Sequence, residues 1–367
     1  MTPRLEIHAS GILQNIRVLS ALAERRGVSV SYVMKGLACY APMIRLLRDN
    51  GVASLCEART ENLKALAEAG MADCEKWLIR LPLPNEAADV VRYADVSLNS
   101  ELSTLEALSR EAVRQGRSHK VVILLELGEL REGAMDEELL PLCGAAGRLP
   151  GLELYGVGAN LSCINEIVPD EGNMAALADA AARVEKALGR RLPVVSGGSS
   201  SAVRMLEEGS LPKAVNHLRI GEAALLGNIV CYDVPFAGAC TDNFILEAEV
   251  IEVKEKPARP WGRRVDPATG LPGPYLPAGA GREENAVSAE KRVRAIVAVG
   301  YQDLDIREAV PLDPGARFEG LSSDCCVFDV TESEKTPRPG DRMRFSLKYH
   351  AMAQAMASPT VEKIILL

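Results

Sequence analysis

The chain has no run of basic residues, no C-x-x-C pair, no grouped histidines and no apolar stretch approaching a membrane span. Each absence removes a class of function. With a formal net charge of −8 and no basic patch, the sequence is a poor electrostatic match for nucleic acid or an anionic membrane surface, so neither is expected as a partner. Small molecules are the expected ligands. The nine cysteines (Cys39, Cys56, Cys74, Cys143, Cys163, Cys231, Cys240, Cys325, Cys326) are odd in number and scattered. That argues against a disulfide framework and a zinc site, and no metal is expected. The opening "MTPRLEIHAS" lacks the apolar core of a signal peptide. A reducing cytoplasm is the expected compartment.

What is present is enough apolar material for one large core and a second, smaller one: 367 residues, 47% hydrophobic and 25% charged. From about residue 27 to 230, short β-branched or apolar runs alternate with longer segments of helical periodicity. Eight strand candidates fall at 28–34, 52–56, 76–81, 94–98, 120–127, 154–161, 192–196 and 215–220. Helical patterns such as "ENLKALAEAG", "SELSTLEALSREAVRQG" and "ALADAAARVEKALG" lie between them, each closing at a glycine stop signal. Eight β-then-α units describe a (β/α)8 barrel over residues 1–235, with a doubly wound sheet as the competing arrangement. After that the texture alternates apolar and polar, as in "NFILEAEVIEVKEK" and "DRMRFSLKYH", which predicts an antiparallel β domain over 236–367. The first residues of the chain are candidates to join it. A Pro/Gly-rich segment, Lys256 to Glu284, reads as a long excursion within that domain.

In "SYVMKGLACY", Lys35 stands at the end of the first apolar strand. In a barrel of this kind the chemistry sits at the C-terminal ends of the strands. From position alone, a rim lysine with its stem packed and its ammonium in water is an equally good reading. The last two strand ends add to it. "VVSGGSSSA" and "LRIGEAALLG" follow strands seven and eight, where such barrels commonly bind phosphate. Gly197 and Gly198 permit close backbone approach, Ser199 to Ser201 offer hydroxyls, and Gly221 with Glu222 offer amides. A lysine and a phosphate site in one barrel mouth point to pyridoxal 5'-phosphate, held by a Schiff base and an anchored phosphate.

Several ordered motifs, "VMKGLACY", "YADVSLNSELSTLEAL", "LGELREG", "LPVVSGGSSS", "LRIGEAALLG", "AVGYQD" and "SSDCC", carry a resemblance that spans nearly the whole chain. The sequence resembles the alanine racemase superfamily of pyridoxal-phosphate enzymes, and within it the ornithine racemase branch most closely. The resemblance implies a homodimer of barrel-plus-β-domain chains with shared active sites. In it Lys35 carries the cofactor, Arg219 faces the pyridine nitrogen, and Arg131 contacts the phenolic oxygen and the substrate carboxylate. Asn160 falls where the superfamily commonly has a histidine packed on the cofactor ring. Tyr301 resembles the tyrosine that arrives from the partner subunit to serve the face of Cα opposite Lys35. A phenol of ordinary pKa near 10 needs a nearby cation to do so. Asp324 occupies the family's β-domain acid position. Ser323, and Ser358 with Pro359, replace bulky groups that constrict the alanine racemase pocket, which leaves room for a longer side chain whose ammonium Asp324 would meet.

Departures from the family pattern are local. Counting from Lys35 places Cys39, not Tyr40, at the phosphate-binding tyrosine. Leu124 replaces the lysine that alanine racemases modify to brace the strand-five arginine, and Cys325-Cys326 is an unusual pair at its site. The leading function is racemisation of ornithine or a related basic amino acid by two-base Cα proton transfer. Alternatives are an alanine or broad-specificity racemase, a fold-related basic amino-acid decarboxylase, and a barrel-only cofactor carrier. The order Asp324-Cys325 with Tyr301 retained argues against the decarboxylase, and the β domain weighs against the carrier.

Overall fold

The computed structural model describes residues 3–71, 73–261 and 287–367. Most of the Pro/Gly-rich excursion therefore lies outside the described residues. The chain divides into two compact units, Ala9–Thr241 and a second unit that joins the chain's start to Asp242–Leu367. Strand β1 (Arg4–His8) belongs to the second.

The first unit opens with α1 (Ala9–Arg25), which buries Ile12, Ile16, Leu19 and Ala23 at helical spacing. Strands and helices then alternate: β2 (Ser29–Val33), α2 (Ala41–Asp49), β3 (Ser54–Glu57), α3 (Thr60–Glu68), β4 (Glu75–Leu78), α4 (Ala87–Tyr93), β5 (Val96–Asn99), α5 (Leu102–Gln115) and β6 (His119–Leu125). The second half runs α6 (Asp136–Ala146), β7 (Leu152–Ala159), α7 (Glu171–Leu188), β8 (Val194–Ser196), α8 (Val203–Glu208), β9 (His217–Ile220) and α9 (Glu222–Leu226). A short ribbon of β10 (Asn228–Ile229) and β11 (Val234–Pro235) follows. β2 to β9 close into a parallel barrel, with β9 returning to β2 in the register Ser31 to Arg219.

Strands in such a barrel are buried on both faces, which is why "VVILL" carries no polar alternation. Val122 and Leu124 pack inside the barrel with Val33, Cys56, Trp77 and Leu98. Val121, Ile123 and Leu125 face the helices, against Leu105, Leu108, Leu177 and Val184. Helices α5 and α7 end at Gly116 (φ 61°) and Gly189 (φ 66°), left-handed caps that only glycine adopts cheaply.

The second unit is built from β12 (Phe244–Pro257), β13 (Lys291–Val297), β14 (Ala309–Pro311), β15 (Arg317–Leu321), β16 (Cys326–Asp329), β17 (Arg342–Leu347), α10 (Tyr349–Ala357) and β18 (Glu362–Leu366). Its sheet runs β14-β17-β12-β13-β16-β15, and β1 pairs antiparallel with β12. Phe244, Phe328 and Phe345 are fully buried in this unit. Two features depart from an all-antiparallel reading. β1 pairs in parallel with β18, because both strands reach the sheet from distant parts of the chain rather than through a hairpin. Helix α10 follows directly on an alternating strand, and its buried Ala351, Met352, Ala355 and Met356 recur at helical spacing. No disulfide links any of the nine cysteines.

Candidate active site

The barrel residues singled out from the sequence all lie at the C-terminal ends of strands. Lys35 begins a single 3-10 turn, Lys35–Leu37, immediately after β2, and its side chain is exposed. On one side its strand adjoins β3, where the Met34 amide donates to the Cys56 carbonyl (2.9 Å). On the other side Val33 packs against Gly221, just past the end of β9, where a Cβ would sit 3.0 Å from the Val33 side chain. Lys35 thus stands between the end of β3 and the strand that bears Arg219.

The chain then turns through Ala38 (φ 46°) and Cys39 (φ 57°), both left-handed. That turn takes the Cys39 thiol to the Asn62 carbonyl (3.2 Å), beside the Glu57 carboxylate. Burial and then the Glu57 charge push Cys39 up to about 12. It remains a neutral thiol engaged by α3. Glu57, the last residue of β3, is fully buried. It accepts from the Asn62 side-chain amide (3.0 Å) and the Ala58 amide (3.3 Å). Burial raises its carboxyl to about 7, opposed by those two donors and by the charge of Lys35.

Arg219 is 3% exposed and donates to the Ser196 hydroxyl and to the Ala159 carbonyl (2.9 Å). Its Nη2 also lies 3.5 Å from Asn160 Oδ1. A rim salt bridge is therefore not its role, since no carboxylate is within ion-pairing distance of it among the described residues. Burial pulls the guanidinium below its ordinary value, yet so basic a group stays charged. His217 sets the Ser196 hydroxyl from below. Its Nδ1 lies 2.9 Å from Ser196 Oγ, its Nε2 lies 2.9 Å from Ser31 Oγ, and its ring stacks on Trp77 at 4.6 Å. Burial, then the Arg219 charge, pushes His217 down to about 3, so the imidazole is neutral.

Arg131 follows β6 in a loop and binds Glu132 through Nε and Nη2. Glu132 Oε1 also accepts from Asn160 Nδ2 (3.0 Å). Arg131, Glu132, Asn160 and Arg219 therefore form one continuous polar chain across the ends of β6, β7 and β9. At the expected phosphate loop, Gly198 has φ 104° and open space where a Cβ would project. The Ser199 and Ser201 hydroxyls are 3.2 Å apart. One expectation is corrected here: the Gly221 amide is not open to a ligand. It and the Ala223 amide both donate to Ser200 Oγ (3.1 Å each), because a helix start leaves amides that need an acceptor and the buried hydroxyl supplies one.

In the second unit the structure brings Tyr301, Ser323 and Asp324 onto two abutting loops. A Cβ at Gly300 would lie 2.4 Å from the Asp324 amide nitrogen, so only glycine lets these backbones meet. The Tyr301 amide donates to the Ser322 carbonyl (3.0 Å) and the Gln302 amide to the Ser323 carbonyl (2.9 Å). Tyr301 is 37% exposed, and the Arg307 guanidinium, itself paired with Asp305, lies 5.8 Å from its ring centre. Asp324 is exposed and forms no ion pair among the described residues. Of the Cys325-Cys326 pair, Cys326 is buried in β16. Only Cys325 borders the loop, its sulfur 3.1 Å from Ser322 Oγ. Ser358 is buried and paired with the Thr360 hydroxyl (2.7 Å).

Sequence reasoning passed over Glu57, Glu132, Ser196 and His217. Glu57 sits one residue past the expected second strand, a charge at a strand end that could have been read, whereas Glu132 directly follows Arg131 and has the pattern of an ordinary surface pair. The two barrel-interior residues carried no signal beyond being polar within an apolar strand.

A parallel barrel with a lysine and a buried arginine at its mouth, continuous in sequence with a β unit, defines a class that the comparisons identify. The profile described as alanine racemase, N-terminal domain, matches residues 7–228. Ornithine racemase of Acetoanaerobium sticklandii is 34% identical over 367 residues, covering 100% of each chain. Lysine racemase of Thermotoga maritima is 33% identical over 362 residues, 99% of this chain and 98% of that one. The crystal structure of alanine racemase from Bartonella henselae with covalently bound pyridoxal phosphate matches at a TM-score of 0.74 and 18% identity, covering 100% of each chain, a likeness of fold. The chain belongs to the alanine racemase family. It is an amino-acid racemase by that membership.

Proposed function

We propose that the protein uses pyridoxal 5'-phosphate to interconvert the L and D forms of ornithine or a closely related basic amino acid. The observation that carries this reading is the buried Arg219 guanidinium, which faces only neutral acceptors at a barrel mouth whose first strand ends in Lys35. That donor set fits the cofactor. Arg219 would donate to the ring nitrogen without giving up a proton, keeping it unprotonated. Ser199, Ser200 and the backbone at Glu222 would hold the phosphate, the Gly221 amide being engaged by Ser200 Oγ. Ser200 Oγ accepts two amides, so its own hydrogen is left to point at an anion. Lys35 would hold the aldehyde carbon, and Asn160 with Arg131 would meet the phenolic oxygen.

When bound, the cofactor withdraws electrons and makes the substrate Cα–H acidic enough to remove. Lys35 takes or returns that proton on one face, and Tyr301, from the partner chain of a homodimer, does so on the other. Arg131 orients the substrate carboxylate through its planar fork. Asp324 meets the distal ammonium of the substrate, a reading supported by two relatives being named ornithine racemase and lysine racemase. Cysteines without disulfides suit a cytoplasmic setting.

The test is to give cofactor-loaded protein single L-amino acids in heavy water and follow Cα deuterium and optical rotation. Rotation should fall to zero, with deuterium incorporation, for ornithine or another basic amino acid well ahead of alanine. Carbon dioxide release, or alanine as the fastest substrate, would overturn the reading.

A further inference from the structure

We propose that Glu132 is the positioning residue for Arg131, fixing one edge of its guanidinium so that the remaining donors are presented to the substrate carboxylate. The proposal rests on the function proposed above. Glu132 takes Nε and one hydrogen of Nη2 with its two oxygens, the side-by-side geometry that locks a guanidinium in plane. A guanidinium carries five N–H donors in a rigid plane, so three remain. The Glu132 side chain is only 12% exposed, against 34% for Arg131, so the anion lies on the inner side of the pair. Its Oε1 is also held by Asn160 Nδ2 (3.0 Å), and Asn160 Oδ1 faces Arg219. The carboxylate therefore ties the proposed substrate arginine to the proposed cofactor arginine. Its hydrogen bonds drive Arg131 further above its ordinary value.

The surrounding backbone is already fixed. Glu126 accepts from the Leu130 amide (3.0 Å). The buried Glu129 accepts from the amides of Ser162 (2.9 Å), Cys163 (2.8 Å), Ile164 and Asn165 (3.0 Å), which fastens the Arg131 loop to the loop after β7. With the backbone held, the direction of the long Arg131 side chain is decided by what its guanidinium binds, first Glu132, with the Cys163 side chain also beside it. Leu124, fully buried among the barrel's interior side chains, offers no charge for this task.

A carboxylate on Arg131 has a second reading, as a stand-in that substrate must displace, and the two differ in sign. The experiment compares cofactor-loaded wild type, Glu132→Gln and Glu132→Asp. It reads calorimetric binding of 5-aminopentanoate, a carboxylate with a distal amine and no α-amino group, and KM and kcat for L-ornithine. Positioning predicts that Glu132→Gln weakens 5-aminopentanoate and lowers kcat/KM by about 10- to 100-fold, the usual effect of a misplaced orienting group, with cofactor absorbance retained. Glu132→Asp, which keeps the charge, should fall between. Tighter binding in Glu132→Gln would make the carboxylate a competitor, and unchanged binding would make it a surface pair. Either overturns the proposal. If Glu132→Gln fails to fold, the same readings on Glu132→Asp decide. Wild-type protein without racemase activity would end the functional reading, whereas an active wild type with an unaltered Glu132→Gln would end this one alone.

Discussion

Glu57 and Asp324 show how differently two carboxylates behave at neutral pH. Burial raises Glu57 to about 7 from an ordinary 4.5, so between those pH values the folded chain binds a proton that the unfolded chain has released. Stability from this group is therefore full below about pH 4.5, declines as pH rises through 7, and is flat above, a change of about 3 kcal/mol. Glu57→Gln imitates the protonated form and should remove that slope. Urea unfolding at pH 5 and pH 8 should find the variant more stable than wild type chiefly at pH 8. An unchanged difference between the two pH values would contradict it. Asp324, exposed and without an ion pair, should act on substrate rather than on stability. Asp324→Asn should weaken basic substrates by about 2 to 4 kcal/mol if it meets a desolvated ammonium, and alanine much less. Equal losses on ornithine and alanine would show it to be architecture. Lys35 was legible as a charge at a strand end in an apolar run, whereas Arg131 and Arg219 were legible only through the family motifs around them. Glu132 and His217 were not, because a carboxylate beside an arginine and a histidine within a strand look the same on a surface as in a network.

The loop after β6 illustrates what local sequence can and cannot say about an element. Its strand read as a continuous apolar run, and the structure explains the run by burial on both faces. The return of the loop onto the strand was invisible, because it depends on contacts between residues that alternate patterning does not mark. The Glu126 amide donates to the Ala134 carbonyl (3.0 Å) and the Ala134 amide to the Leu124 carbonyl (2.8 Å), closing the loop beside Gly133. At Gly133, φ is 145° and a Cβ would lie 2.5 Å from the Glu126 nitrogen, so no side chain fits. Gly133→Ala should cost about 2 kcal/mol of strain. By moving Arg131 it should lower kcat/KM by roughly 10²-fold, measured on protein that still folds. A variant with wild-type kinetics would show that the loop does not set Arg131. Helix α10 escaped the alternating pattern for a related reason, since its small and sulfur-containing residues follow a strand without a turn signal.

The eight-fold β-then-α rhythm made the barrel legible from end to end, whereas the pairing of β1 with β12 and β18 joins residues far apart in sequence and could only be suspected. The same chain-long resemblance that gave the barrel its cofactor lysine gave the β unit its tyrosine, and the proposed mechanism assigns the two to different chains. Mixing Lys35→Ala with Tyr301→Phe chains, each inactive alone, should restore up to about half of the wild-type activity per hybrid dimer, because one of its two sites has both bases intact. No recovery in mixtures shown to exchange subunits would place both bases on one chain. The proposed chemistry begins, however, at Lys35, where a charge ends the first strand of the barrel. Reducing the cofactor-loaded protein with borohydride and mapping the modified peptide should find the pyridoxyl group on Lys35 and lose it in Lys35→Ala. A label on any other lysine, or none, would contradict the account.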